Sequence, residues 1–419
     1  MRMIKTRTLN NGVRVVMEHM PSVQSVSIGI WVHTGAVNET DKNAGVSHFV
    51  EHMMFKGTEQ RTARQIAGDI DRIGGQMNAF TGKEATCYYV KSVAENYRKA
   101  ADVLVDMLEH SLFDKTEMDR ERRVICEEIK MTRDTPDDLA HDTLMDEIFR
   151  GDSLGNSILG TPTSLKRITR NVITDYVRTH YVRENIVVSV AGKFDEDDFC
   201  EYFENSFQTL GRELPENRMK RGEYRPSLRS LKKDIQQSHL CMGVRTIPLG
   251  DEDLYAERIM NNLFGGSMSS RLFQNIREQK GLAYSVCSML GTFSTDGYME
   301  IYAGVSHEKI RDAIEGIREE LQTLKDAPVS GEELESSREQ MKSGYVFSQE
   351  STSSRMMANG KNFMLIGRVF VPEEVIEGYN KVTVEDIERL KQMICDLDRY
   401  SAVVVSGTRV NLRSMMGRA

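Results

Sequence analysis

Three residues within five positions carry the chemistry that this chain is organised around. His48, Glu51 and His52 form an H-x-x-E-H arrangement inside the stretch Ser47 to Lys56, SHFVEHMMFK. On a helix, residues three and four apart share a face, so both imidazoles and the carboxylate point the same way. Two histidines at i and i+4 make a clamp for a divalent metal, and zinc takes nitrogen ligands of this kind. A glutamate beside them could accept a proton from a metal-bound water. The bland alternative is a surface helix with two unrelated histidines, and the rest of the chain has to discriminate.

A third ligand is offered further along. Met118, Glu121, Ile125, Glu128 and Thr132 follow one another at helical spacing and make a single stripe, with Val124 and Ile129 nearby. Two glutamates interrupt what should be a buried side. A buried carboxylate is costly unless it is paired or bound to a metal. Salt bridges to neighbours such as Arg122 are the ordinary solution. The other is that Glu128 completes the His₂Glu set of a catalytic zinc. Glu127 lies about 100° round the helix, outside the stripe, and spacing alone leaves it as a rival.

The bulk composition narrows the class. The chain has 419 residues with 39% hydrophobic and 28% charged, a soluble globular profile long enough for more than one core. Its apolar runs are too short to cross a bilayer, and MRMIKTRTLNNG lacks the apolar segment of a secretory signal, so a cytoplasmic location with no membrane partner is expected. A net charge of −8 argues against a nucleic-acid partner. Six scattered cysteines with no C-x-x-C pair read as reduced thiols, not as a disulfide framework or a Cys-ligated zinc site. The other histidines (His19, His33, His110, His141, His180, His239 and His307) have no ligand-like spacing and are given no role. The 24 methionines read as core filler.

The elements that must hold these residues alternate between strands and helices. Asn10-Asn11-Gly12 between two β-rich runs predicts a hairpin. Val26 to Val32 is a third strand, and the motif helix is expected from Ala44 to Phe55, with Gly57 at its C′ position. Thr62 caps a second helix, strands follow at Gln76 to Thr81 and Thr86 to Ser92, and Asp114 with Glu117 opens the glutamate helix. A charged stretch, GRELPENRMKRGEYRPSLR, reads as a linker over 211–229. The order of elements then repeats. Ala191-Gly192 and Ser406-Gly407 end equivalent strands, and Asp114 and Ser330 begin equivalent helices, at offsets of 215 and 216. The pattern predicts an α+β chain of two homologous domains, each a mostly antiparallel sheet packed with helices: 1–210 with the metal motif, and 230–419 without it. Offset 216 sets Gly344 opposite Glu128, so the second copy lacks the ligand.

Together, GVSHFVEHMMFKGT, GGQMNAFTGKEAT, ERRVICEEIK and SSRLFQNIREQKGLAYSV resemble the inverzincin metallopeptidases of the pitrilysin and insulin-degrading type. The likeness is nearest to the two-domain branch of bacterial processing proteases and the mitochondrial processing peptidase β-subunit, and it covers nearly the whole chain. It implies that His48, His52 and Glu128 hold one Zn²⁺ per chain, Glu128 lying 76 residues beyond His52 as that family's third ligand does. It also implies Glu51 as general base, Glu121 as the auxiliary acidic residue, and Arg277 and Tyr284 as an Arg–Tyr pair from the second domain. Asn78 and Ala79 then fall in an edge strand that pairs with substrate backbone. The activity implied is zinc-dependent endoproteolysis of extended peptides, with a homodimer enclosing a chamber. A noncatalytic structural or substrate-binding subunit is the alternative from a different class.

Overall fold

A computed structural model describes residues 4–214 and 219–417. It divides into two compact units, each α+β, built from interleaved stretches of chain. The first comprises the described residues of 1–130, 156–220 and 347–371; the second those of 131–155, 221–346 and 372–419.

The first unit is built on a six-stranded sheet. Its strands are β1 (Ile4–Thr8), β2 (Arg14–His19), β3 (Ser25–Val32), β4 (Gln76–Thr81), β5 (Thr86–Val93) and β6 (Ile186–Gly192), in the spatial order β1-β2-β6-β3-β5-β4. The expected hairpin forms: β1 and β2 run antiparallel, Gly12 takes a left-handed φ of 97°, and the Asn11 amide donates to Phe203 O at 2.7 Å. Only β2 and β6 are parallel. Every residue of β6 is buried, as is β3 after its first residue, because helices cover both faces. β4 pairs only with β5 among the described residues, so it is an edge.

The second unit repeats this plan with β7 (Leu228–Lys232), β8 (Ser238–Thr246), β9 (Ala283–Thr292), β10 (Gly297–Val305) and β11 (Ser401–Ser406), in the order β7-β11-β8-β10-β9. β7 and β11 are its parallel pair, and the rest is antiparallel, matching β2-β6-β3-β5-β4 strand for strand. β7 begins inside the stretch expected to be linker. Leu228 to Lys232 has its backbone paired with β11, and that ladder outweighs a charged composition.

Two helices depart from the contiguous halves that the sequence suggests. The helix Pro136–Ile148 packs on β8 and β11 of the second unit, while Thr352–Ile366, which the sequence reading leaves without an element of its own, packs on β3 and β6 of the first. Each lies close against a glycine of its sheet. A Cβ on Gly29 of β3 would lie 2.3 Å from Met356 Sδ, and one on Gly243 of β8 would lie 2.5 Å from Ile148 Cδ1. Trp31, the only tryptophan, is buried on β3 under the Thr352–Ile366 helix; a Cβ on Gly360 would meet its Nε1 at 2.1 Å.

Beneath that helix, Arg355 and Glu18 form a salt bridge with both side chains almost wholly buried, and Asn359 Nδ2 donates to Glu18 Oε2 at 2.9 Å. Removing one partner of such a pair leaves the other charge without compensation, at about 3–5 kcal/mol. Glu18→Ala is therefore expected to lower the unfolding free energy of the first unit by that much, read as a lower urea midpoint by Trp31 fluorescence. An unchanged midpoint would show that the pair does not hold the helix to the sheet.

Candidate active site

The motif helix spans Val46–Met54, and Val46, Ser47, Phe49, Val50, Met53 and Met54 are all buried. That leaves one open face, carrying His48, Glu51 and His52. Met53 and Met54 are core packing. Gly45, at φ 89°, offers no side chain to cap the helix. Glu39 does so instead, taking the Gly45 and Ser47 N–H groups at 2.6 and 2.8 Å. Burial pushes the Glu39 carboxyl up to about 7, against the pull of those same hydrogen bonds. At the other end the helix closes on Phe55, whose N–H reaches His52 O, so Gly57 lies one residue beyond the C′ position expected for it.

The open face meets the helix Lys115–Asp134. Its buried residues are Met118, Glu121, Ile125 and Ile129; Val124, expected beside the stripe, is 44% exposed. Arg122 does not neutralise the glutamates. It donates to Ile168 O at 3.0 Å and to Leu165 O, and lies over the Phe49 ring. Glu127 is exposed and bonded to Lys130 at 2.7 Å. Glu128 faces the histidines.

Glu128 Oε2 stands 3.8 Å from His48 Nε2 and 3.5 Å from His52 Nε2. It is buried, and no group among the described residues donates to it. These spacings are too long for hydrogen bonds but close to the ~3.4 Å edge of a tetrahedron with metal–ligand bonds of about 2.0–2.1 Å. Three donor atoms of the right types thus surround a point where a cation would satisfy an otherwise orphaned carboxylate oxygen. The residues fit a zinc ion.

The electrostatics favour the same use. Burial, then the neighbouring His52 ring, pull His48 down to about 4, which keeps its lone pair available at neutral pH. Glu121 Oε2 lies 2.9 Å from His52 Nδ1, and Lys56 Nζ sits 2.8 Å from Glu121 Oε1. Burial raises the Glu121 carboxyl, but Lys56 and His52 outweigh it and hold it below its ordinary range. An ionised Glu121 only accepts, so His52 Nδ1 carries the proton and Nε2 presents its lone pair toward Glu128. Glu51 is pushed upward, mainly by burial and against a 2.5 Å hydrogen bond from Thr81 Oγ1.

Thr81 is a residue the sequence reading passed over. It ends β4, and its nearness to Glu51 appears only once β4 lies against the motif helix. Glu39 was missed for a similar reason: it caps from six residues before Gly45, outside any local capping pattern. Asn78 and Ala79 lie on the β4 edge, where Ala79 N–H donates to Asn78 Oδ1 at 2.8 Å.

Arg277 and Tyr284 belong to the second unit and are brought to one another there. Tyr284 is the second residue of β9, with 77% of its surface exposed, and the Arg277 guanidinium lies 5.7 Å from its ring centre. Arg277 stands in a π-helix, Phe273–Gln279.

The fold and these three donor side chains point to a class. The chain belongs to the insulinase family of peptidases, M16: the family model described as Insulinase (Peptidase family M16) matches residues 14–162, and the one described as Peptidase M16 inactive domain matches residues 167–341. It is 42% identical over 404 residues to a Bacillus subtilis (strain 168) protein named "Uncharacterized zinc protease YmxG", covering 96% of this chain and 98% of that one. A Rickettsia felis protein also named as a zinc protease is 35% identical over 94% of this chain and 96% of its own length. In three dimensions the fold matches a protease from Helicobacter pylori with a TM-score of 0.91 at 20% identity, covering 97% of this chain and all of that one. Among the described residues no helix is long and apolar enough to cross a membrane.

Glu121→Gln keeps the shape but loses the charge that orients His52. Loss of such an outer partner costs 10–100-fold in metal affinity. That weakening is the expected result of a zinc titration against a competing chelator; unchanged affinity would remove Glu121 from the ligand set's support.

Proposed function

We propose that the chain is a zinc-dependent metalloendopeptidase that hydrolyses peptide bonds in extended peptides or unfolded segments. The observation that carries this reading is the orphaned Glu128 Oε2, 3.5–3.8 Å from two imidazole nitrogens, with Glu51 on the same helix face. His48, His52 and Glu128 would hold one zinc. When bound, zinc supplies a Lewis acid and lowers the pKa of a coordinated water to about 7.

The rest of the work falls to the chain's own side chains. Thr81 holds Glu51 Oε2, which leaves Oε1 to take the proton of the attacking water. A carboxyl raised by burial is better matched to receiving that proton and handing it to the leaving amine. The β4 edge around Asn78 and Ala79 would bind substrate as an added strand, so affinity comes from main-chain bonds and sequence tolerance is broad. In the Ala79 N–H to Asn78 Oδ1 bond, a substrate carbonyl could replace the side chain. By resemblance, Arg277 positions the peptide and Tyr284 donates to the oxyanion. A pair of such chains as a homodimer, and a cytoplasmic setting, rest on the resemblance and on the sequence; sedimentation equilibrium tests the first, a monomer mass contradicting it.

Two variants test the roles. Glu51→Gln is expected to retain zinc and to lose peptide cleavage by at least about 10²-fold, the typical worth of a general base. Metal analysis beside a quenched-peptide assay reads both, and near-wild-type turnover with zinc in place would sink the mechanism. Tyr284→Phe is expected to lower kcat by about 10²-fold with KM little changed, since an oxyanion donor acts in the transition state. A KM effect alone would reassign Tyr284 to binding.

A further inference from the structure

The second unit lacks the H-x-x-E-H motif, yet it gathers a different donor set. His141 comes from the helix Pro136–Ile148, Cys241 from β8 and Glu300 from β10. Their ligand atoms all lie within 4.8 Å of one another. A single ring nitrogen, His141 Nδ1, faces both partners, at 2.6 Å from Glu300 Oε1 and 3.7 Å from Cys241 Sγ. We infer that His141, Cys241 and Glu300 form a second metal site, for a zinc-class divalent cation, independent of the site on the motif helix.

The register makes the convergence a property of the fold. Cys241 on β8 stands directly opposite Tyr302 on β10, and Glu300 is two residues from Tyr302, so both ligands point to the face that the Pro136–Ile148 helix covers. The His141 ring stacks on Tyr302 at 5.1 Å, which fixes its orientation above the sheet. Tyr302 is itself fixed by a 2.9 Å hydrogen bond with His239 Nδ1.

The donor chemistry suits the ion. Imidazole nitrogen, thiolate sulfur and carboxylate oxygen are all zinc ligands, and a thiolate with a carboxylate balances a divalent charge in a place where Cys241 and Glu300 are almost wholly buried. A tetrahedral zinc with ordinary bond lengths sets nitrogen and sulfur about 3.6 Å apart, close to the spacing found. The 2.6 Å contact is a direct hydrogen bond and would open by roughly 0.8 Å around an ion. His141 keeps 30% of its side chain exposed, which leaves an approach for the metal and a fourth position for water. The simpler account is a His–Glu ion pair beside an inert thiol.

Cobalt separates the two. His48, His52 and Glu128 offer only nitrogen and oxygen, so a near-ultraviolet sulfur-to-cobalt charge-transfer band reports the second site alone. Full-length protein stripped with a chelator and reloaded with Co²⁺ is expected to take up about two ions per chain and to show that band. Cys241→Ser is expected to lose the band and one ion, Cys287→Ser to keep both, and His48→Ala with His52→Ala to lose one ion while the band stays. A wild-type spectrum without the band, or a band that survives Cys241→Ser, overturns the site. Because the wild-type spectrum decides by itself, poor folding of a variant does not rescue the idea.

Discussion

One interaction organises the first unit: the only open face of the Val46–Met54 helix is set against the glutamate stripe of the Lys115–Asp134 helix. Neither surface is stable alone. A stripe with Glu121 and Glu128 would carry unpaired carboxylates into a packed interface, and such groups cost several kcal/mol each without partners. Glu121 is satisfied by Lys56 and His52. Glu128 Oε2 is not, and it is aimed at two imidazole nitrogens. The cation proposed for this gap would complete the interface as well as the chemistry. Glu39 at the helix start and Arg122 against the Phe49 ring then hold the geometry from outside it.

The proposed ligands were legible because they obey helical spacing. His48, Glu51 and His52 sit at i, i+3 and i+4, and Glu121 and Glu128 fall on one stripe; both patterns survive folding because each lies within one continuous helix. The choice between Glu127 and Glu128 was open from spacing, and in the folded chain the exposed bond of Glu127 to Lys130 separates them. Thr81, Glu39 and the Glu18–Arg355 pair were invisible because each joins residues on separate elements, and no local pattern records such a contact. The helix Thr352–Ile366 was missed as an element. It is polar and apolar by turns without a clean face, being packed into a sheet whose surface includes the buried charge of Glu18.

Duplication explains why the two units share a sheet plan yet differ in what the sheets carry. β2-β6-β3-β5-β4 and β7-β11-β8-β10-β9 correspond strand for strand, and each sheet receives its covering helix across a glycine. In the first unit that covered face holds a buried ion pair. In the second it holds His141, Cys241 and Glu300, residues far apart in sequence that individually read as unremarked thiol, imidazole and carboxylate. The scattered cysteines argue against a Cys-cluster zinc site. They could not exclude one cysteine meeting a histidine and a glutamate through the fold.

His48, His52 and Glu128 are proposed as the ligands of the catalytic ion. Anomalous diffraction at the zinc edge from crystals of the zinc-loaded protein tests this directly. A peak at about 2.0–2.2 Å from His48 Nε2, His52 Nε2 and Glu128 Oε2 is predicted. A zinc held without Glu128, or no peak between the motif helix and the glutamate helix, would contradict it.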